Sequence, residues 1–552
     1  MSSPTITGAE AAVAQLEALG VEVVFGIPGV HNLALFDALR RSPIRTIVVR
    51  HEQTAGYAAD GYARATGKLG VCITTTGPGA ANAATAMGEA RASRSPVLHI
   101  STQVPSRQLA GRSGRFSLHE SPQQVELMAA VCVWSGRVSR PEAIASMIVH
   151  ASNMAFAGRR GPAFVEIPFD FLDGRVGKVG RALPAAPRPP APSADEITRA
   201  AKALSRAEQP VIWAGGGVIA SGAEAELLAV AEALDAPVVT TFAGKGAIPA
   251  GHRLALALPP HEPAVTRLIE ASDALLAVGT DFDAMNTQGW RLALPRPRVV
   301  INVENEDLRR NYAADVGIES DARAALAALL EELKPRKAGP GAKRVSRVRA
   351  GVLRSLRRGT ASRQPFAFVE RLRDAVAEDD VIVADMAIAG YWTAGYLPAT
   401  RPRTFAYPLG WGTLGFAFPA AIGVAAAGRR AVVVCGDGGF AFAPGELATV
   451  LQENLDVTIV LVNDGGYGML RFDEEERFDD TFAVDLATPD FAALARSFGV
   501  KSRKTTAEAL DRDLLWAMRR HGPALLQLEA SWAPPITTSP RWPLKGKPEA
   551  RP

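Results

Sequence analysis

Val432-Val433-Val434-Cys435-Gly436-Asp437-Gly438-Gly439-Phe440 is the stretch on which the reading of this chain turns. An apolar run without polar alternation fits a parallel strand covered on both faces. It ends in a Gly-Asp-Gly turn that leads into a helix. In an open parallel sheet, ligands sit beyond the C-terminal ends of the strands. Glycine lets the backbone approach a phosphate and aim N–H groups at it. The N-terminus of the following helix favours negative charge. Asp437 opposes that arrangement unless a cation stands between carboxylate and phosphate, and Mg²⁺ bridging the two is the economical solution. The predicted diphosphate cradle is Gly436, Asp437, Gly438 and Gly439. A lone Gly-Asp-Gly would be weak evidence.

One strand later the pattern repeats. Val457-Thr458-Ile459-Val460-Leu461-Val462 runs into Asn463-Asp464-Gly465-Gly466-Tyr467-Gly468-Met469. An oxygen-rich turn at the next strand end supplies a side-chain ligand and a backbone carbonyl, which suits the oxygen coordination that Mg²⁺ requires. Asp437 and Asp464 together make a strong signal.

Outward from this pair, short β-branched runs recur, each followed by an Ala/Leu-rich stretch of helical period. They include Thr46–Arg50, Val71–Thr76, Val97–Ser101, Val211–Ala214, Pro237–Thr241, Ala274–Gly279, Val299–Val303, Val381–Ala384 and Ala431–Cys435. Strands alternating with helices predict an α/β chain of open parallel sheets. A length of 552 residues suggests about three domains. Two composition breaks divide it: a Pro/Ala-rich linker from Arg181 to Ala194, and an Arg/Lys/Gly-dense stretch from Lys334 to Arg363, read as a solvated linker and helix face. The expected domains are 1–180, 195–335 and 364–532. The first and third look alike in architecture. The Pro-rich tail from Ser531 is expected to be a mobile flap or frayed end.

Composition excludes several classes. Net charge is only +4, spread along the chain, which is not the profile of a nucleic-acid binder. Cys72, Cys132 and Cys435 are far apart, so neither a disulfide frame nor a zinc site is expected; Cys72 and Cys435 read as buried thiols. No apolar stretch reaches the length of a membrane helix, and the N-terminus lacks a basic-then-apolar leader. The expectation is a soluble cytoplasmic protein without nucleic-acid or membrane partners.

The Asp437/Asp464 pair resembles the cofactor motif of the thiamine-diphosphate enzyme superfamily, which runs from Gly-Asp-Gly to a terminal Asn-Asn one βαβ step later. The resemblance implies metal ligation by Asp437, Asp464 and the carbonyl of Gly466, with Tyr467, Gly468 and Met469 lining the cofactor. Asp464 stands where Asn is commoner in that family. Three further stretches resemble the pyrimidine-binding domain of the same superfamily, most closely its acetolactate synthase-like branch. They are Phe25-Gly26-Ile27-Pro28-Gly29-Val30-His31, Val48-Val49-Arg50-His51-Glu52-Gln53, and Thr75-Thr76-Gly77-Pro78-Gly79-Ala80-Ala81-Asn82. The three domains then become pyrimidine-binding, central Rossmann-like and diphosphate-binding. Pro28, Gly29, Glu52, Gly77 and Asn82 are implied cofactor contacts.

Thiamine chemistry gives Glu52 a reason. A carboxylic acid donating to the aminopyrimidine nitrogen favours the imino form that can accept the thiazolium proton, and burial keeps that carboxyl protonated. Gly412-Thr413-Leu414-Gly415-Phe416 resembles the segment that wedges the cofactor into its bent form, with Thr413 beside it and Leu414 at the wedge. In the family, the two half-sites meet across a subunit interface. A homodimer or homotetramer acting on a small-molecule 2-oxo acid is implied, and a regulatory subunit stays open.

Two departures matter. True acetolactate synthases carry FAD on an Arg-Phe-Asp-Asp-Arg stretch that reads here Thr280-Asp281-Phe282-Asp283-Ala284, without either arginine, so FAD is left open. Their Phe-Gln-Glu stretch reads here Leu118-His119-Glu120, as in a branch that decarboxylates guanidino-2-oxo acids. His119 and His31 are therefore candidate carboxylate-binding or proton-carrying groups. The expected chemistry is decarboxylation of a 2-oxo acid such as pyruvate. Ligation to a second 2-oxo acid follows in an acetolactate synthase-like enzyme, and release of an aldehyde in a non-oxidative decarboxylase, the alternative.

Overall fold

A computed structural model describes residues 5–109, 117–177, 189–336, 339–478 and 480–538. Most of the expected Pro/Ala linker, and the tail beyond residue 538, lie outside the described residues.

Three parallel sheets carry the chain, as the recurrent apolar runs predict. In the first, the strands run in the order Arg45–Val48, Val23–Gly26, Gly70–Thr74, Val97–Gln103, Ala163–Pro168, Trp134–Arg137. The last sheet runs Phe405–Ala406, Val381–Ala384, Ala431–Gly436, Val457–Asn463, Ala524–Glu529, Lys501–Thr505. Numbered within each sheet by chain order, both read 2-1-3-4-6-5, so the expected likeness of first and third units is one of topology. The central sheet has five strands in the order Val238–Thr240, Pro210–Ala214, Ala274–Val278, Arg298–Asn302, Val316–Glu319. Every pairing in the three sheets is parallel. In each sheet the strand order reverses between strands 1 and 3, which opens the crevice where open α/β sheets take ligands.

One apolar core joins the outer two sheets, running from Phe25 and Tyr57 through Phe416 to Phe440 and Phe491. Its seam is a close crossing of helices Glu52–Thr66 and Ala417–Ala426. A Cβ on Gly61 would stand 2.0 Å from the Ala420 carbonyl oxygen, and one on Gly423 would stand 1.8 Å from that of Ala58. Only hydrogen fits at either point, and that lets the backbones touch. Arg64 seals the crossing, bound to Asp60 and Glu89 and lying over the Phe416 ring.

The basic stretch from Lys334 differs from expectation. Its middle is an 18-residue helix, Gly341–Arg358, with Val345, Val352 and Leu356 buried against the central and last domains. Arg344 and Arg349 donate to backbone carbonyls of Leu268 and Ala250. Apolar residues at helical spacing, hidden among arginines, turn a supposed linker into a packed brace. The tail from Ser531 is also anchored at its start, where the Trp392 indole donates to the Ala533 carbonyl. Cys72 and Cys435 are buried free thiols as expected, and Cys132 joins them. Among the described residues no helix is long and apolar enough to cross a membrane.

Candidate active site

In the last sheet the crevice lies between Val381–Ala384 and Ala431–Gly436. Asp437 opens the short helix Asp437–Phe440 at the end of the second strand and is buried. Asp464 follows the neighbouring strand, and its N–H points to Asp437 Oδ1 at 3.4 Å. The Asp464 carboxylate folds back over Gly468, where a Cβ would sit 2.0 Å from Oδ2. Glycine there is thus a steric requirement of the ligand turn. Gly465 and Gly466 both have positive φ, and the turn is pinned by Tyr467 N–H donating to the Val484 carbonyl and by Arg471 donating to the carbonyls of Asp464 and Gly465. The Gly466 carbonyl faces Gly438, 3.3 Å from where a Cβ would be.

Oδ2 of Asp437 and Oδ1 of Asp464 are buried without a donor. Burial first, and then the Asp437 charge, push the Asp464 carboxyl up to about 7; burial also raises Asp437. Two crowded acids with orphaned oxygens fit a cation. Among the described residues no group of three or more His, Cys, Asp or Glu could hold a metal alone. Two carboxylates and a carbonyl leave room for phosphate and water oxygens, as Mg²⁺ prefers. Gly436 and Gly439 are buried in the same cradle, with Tyr467, Gly468 and Met469 half-buried along its edge.

Sequence reading missed the residue that organises the opposite wall. Asp385, directly after Val381–Ala384, is buried and accepts from Met386 N–H at 2.9 Å and Gly415 N–H at 3.1 Å. Burial lifts its carboxyl to about 6. It fixes the loop Gly412–Phe416, whose Gly412 and Gly415 have positive φ. Thr413 and Leu414 on that loop are half-buried. Leu414 is therefore not a core leucine; it edges the crevice. The Asp at a strand end was the available signal.

The first sheet builds the complementary half. Pro28 and Gly29 follow Val23–Gly26, and the turn is tied by buried Asn32, which accepts from Gly29 N–H at 2.7 Å. A Cβ on Gly29 would collide with Thr75, so this loop and the Thr75–Gly79 loop meet at the switch point. Gly77 holds φ +67 and donates its N–H to Gln124 Oε1 at 2.7 Å. Gln124 in turn donates to the buried Glu166, which also takes Gln103 and Arg137. Glu52 opens helix Glu52–Thr66, with its Oε1 3.6 Å from where a Gly79 Cβ would be. Asn82 Nδ2 donates to Glu52 Oε2 at 2.9 Å. Asn82 is exposed and Glu52 only half-buried. The burial expected around Glu52 is not supplied by its own chain.

His31 and His119 come together at this rim. Their rings pack edge to face, with centroids 5.5 Å apart, and His31 stacks on Phe169 at 4.9 Å. His119 takes positive φ beside Gly77.

The central crevice differs from the outer two. Gly215 N–H and Gly217 N–H donate to the carbonyls of Val278 and Gly279, and a Cβ on Gly217 would stand 2.6 Å from the Gly279 Cα. Phe282 is buried edge-on against Trp213 and Tyr312.

Family models match all three units. A thiamine pyrophosphate enzyme N-terminal TPP binding domain covers residues 6–129, the central domain 197–329, and the C-terminal TPP binding domain 385–528. The chain belongs to the thiamine pyrophosphate enzyme family. A probable 2-ketoarginine decarboxylase of Pseudomonas aeruginosa is 37% identical, covering 96% of this chain and 95% of that protein. A probable acetolactate synthase large subunit of Methanocaldococcus jannaschii is 33% identical over 94% of this chain and 91% of its own length. The acetolactate synthase large subunit of Corynebacterium glutamicum is 34% identical, over 91% and 83%. The crevices holding Glu52 and Asp437 thus lie in the two thiamine pyrophosphate-binding domains of a thiamine pyrophosphate enzyme.

Proposed function

We propose that this thiamine pyrophosphate enzyme releases carbon dioxide from a 2-oxo acid, using units 1–180, 195–335 and 364–532 as pyrimidine-binding, central and diphosphate-binding domains. The observation that carries it is the pair of orphaned carboxylate oxygens on Asp437 and Asp464 beside a glycine cradle. Those residues, with the Gly466 carbonyl, fit Mg²⁺ and the diphosphate. Bound there, thiamine diphosphate supplies an electron sink for the bond between the carbonyl and carboxylate carbons. Glu52, oriented by Asn82, would hold a proton for the cofactor's pyrimidine ring. Leu414 would bear on the bound cofactor, and Asp385 holds the Leu414 loop.

The half-open Glu52 supports a homo-oligomer in which the last domain of a second copy covers it. Val30, Leu33 and Leu118 on one half, and Trp411, Phe442 and Phe482 on the other, are exposed apolar side chains of the kind that mark an interface. The central domain does not fit FAD. Its crevice is narrowed by backbone contact between the Gly215–Gly217 and Gly279 turns, so no step is assigned to a flavin.

Likeness to acetolactate synthases supports ligation of a second 2-oxo acid. The paired imidazoles and the 2-ketoarginine decarboxylase relative favour a second reading, in which an aldehyde leaves after protonation. The test is titration of purified protein with thiamine diphosphate, with and without Mg²⁺, followed by a mass-spectrometric product screen across 2-oxo acids. Acetolactate from pyruvate supports ligation, and an aldehyde from a longer or basic 2-oxo acid supports the decarboxylase. Lack of Mg²⁺-dependent affinity for thiamine diphosphate sinks both.

A further inference from the structure

Where the central and last domains meet, Lys245 reaches across without a counter-ion. The turn at 241–246 is tight: Gly244 N–H donates to Thr241 Oγ at 3.1 Å, and a Cβ on Gly246, at φ +88, would stand 2.1 Å from the Arg401 carbonyl oxygen. The backbone thus touches the last domain, and the Lys245 side chain continues into it. Its Nζ donates to the Leu397 carbonyl at 2.6 Å and lies 5.3 Å from the centre of the Phe405 ring. Among the described residues no carboxylate pairs with it. Glu262, a buried acid at the same junction, takes the Tyr396 hydroxyl at 2.8 Å, and burial pushes the adjoining His261 down to about 4.

A cavity opens beside Lys245. Thr240, Ile248, Leu258, Ala394 and Pro398 line it with the lysine, and it measures ≈ 390 Å³ with the part open to solvent included. Lys245 is half-buried, so a solute in the cavity meets it. Among the described residues no other charged side chain lines the space. A cation without a counter-ion in an apolar wall is disfavoured, and burial lowers the Lys245 ammonium to about 7. Near neutral pH much of the amine is then free base, with its lone pair available. Desolvated lysines of this kind are the ones that add to carbonyl carbons. The walls also select the carbonyl. A carboxylate entering here would lose its water and, once the amine had reacted, would find no second cation, which disfavours a 2-oxo acid. An aldehyde brings no charge, and its hydrocarbon end suits the lining.

We propose that Lys245 holds a small aldehyde as an imine in this cavity, a covalent site outside the two cofactor crevices. The amine lone pair makes a bond to the aldehyde carbon. The carbonyl oxygen leaves as water with the two amine protons, and a C=N bond remains. One amine plus one aldehyde gives one imine plus one water, with no change of oxidation state. The site lies close behind the wall of the diphosphate crevice: Phe242 and Phe405 pack on the cluster of Ala384 and Ala394, and Ala384 directly precedes Asp385. It needs only an aldehyde, whether released by this enzyme or met in solution, so it stands apart from the decarboxylase reading.

The test incubates the full chain, with Mg²⁺ and thiamine diphosphate, at about pH 7 with acetaldehyde and cyanoborohydride, which fixes an imine by adding hydride. Ethylated lysines are then ranked by peptide mass spectrometry at low conversion. A solvated lysine is almost wholly protonated near neutral pH, so Lys245 should be labelled at least about tenfold faster than the exposed Lys202 and Lys501. In urea that lead should vanish, because the fold creates it. Labelling of Lys245 no faster than of Lys202, or a lead that survives in urea, overturns the proposal. Pyruvate replaces acetaldehyde in a second arm, in which only the adduct that keeps the carboxylate is counted. There the lead of Lys245 over Lys202 should be lost, and a lead as large as with acetaldehyde overturns the assignment to an aldehyde.

Discussion

The backbone N–H of Asp464 lies 3.4 Å from Oδ1 of Asp437, while Oδ2 of Asp437 and Oδ1 of Asp464 stay buried without a donor. Two acids held this way destabilise the metal-free protein, and a divalent cation removes the conflict.

Asp464→Asn should therefore raise the melting temperature of the metal-free protein, by about one or two degrees in a half-open, screened site. An amide oxygen still reaches a cation, so thiamine diphosphate binding with Mg²⁺ should survive within several-fold. Asp437→Asn removes the buried carboxylate on the diphosphate side and should weaken Mg²⁺-dependent binding by roughly 10- to 100-fold. Scanning calorimetry in chelator, beside cofactor titrations, separates the two.

Glu52→Gln should lower carbon dioxide release by about 10²- to 10⁴-fold, the range for a lost proton-transfer group. Affinity for the cofactor should hold within a few-fold. Asn82→Ala, which frees Glu52 from its 2.9 Å partner, should have a smaller effect in the same direction. Full turnover by Glu52→Gln would remove that residue from the chemistry.

Asp385 links stability to pH. Its carboxyl is lifted by burial to about 6 from 3.8, so between those values the folded state binds more protons than the unfolded one. Stability from this group is present below about pH 4 and is lost as pH rises through about 6, by ~3 kcal/mol. Urea unfolding between pH 4 and 7 should show that slope in wild type and a flatter one in Asp385→Asn. The variant also turns one acceptor oxygen into a donor and gives up backbone contacts of the Leu414 loop, so cofactor affinity should fall.

Leu414→Ala should cost less stability than a core leucine, for which about 2–5 kcal/mol is usual, because the side chain is only half-buried. Turnover should drop at least tenfold all the same. A large loss of melting temperature with unchanged turnover would return Leu414 to the core.

Gly61→Ala places a methyl carbon 2.0 Å from the Ala420 carbonyl oxygen. Overpacking of this kind costs about 1–3 kcal/mol. Because the crossing joins first and last domains, the expected result is a lower urea midpoint together with weaker cofactor binding.

Local pattern made most of this legible. Buried parallel strands are continuous apolar runs, and all ten runs read from sequence are strands to within two residues at either end. Among the strands that escaped, Trp134–Arg137 and Lys501–Thr505 border their sheets, are partly solvent-facing and carry polar residues that hide the pattern, while interior Ala524–Glu529 is broken by Gln527. The Arg-rich helix escaped because its charge masked a sparse apolar face.

Sequence alone carried the α/β class, the two glycine-and-carboxylate turns and the place of Glu52 at a helix start, because strand burial and turn chemistry act between near neighbours. Packing of distant elements set the rest: Asp385 holds the Leu414 loop, Gln124 and Glu166 brace Gly77, His31 meets His119, and Phe282 is buried against Trp213 and Tyr312. Those contacts join residues far apart in the chain, and their strength comes from excluding water once the sheets have packed, which no local run of residues encodes.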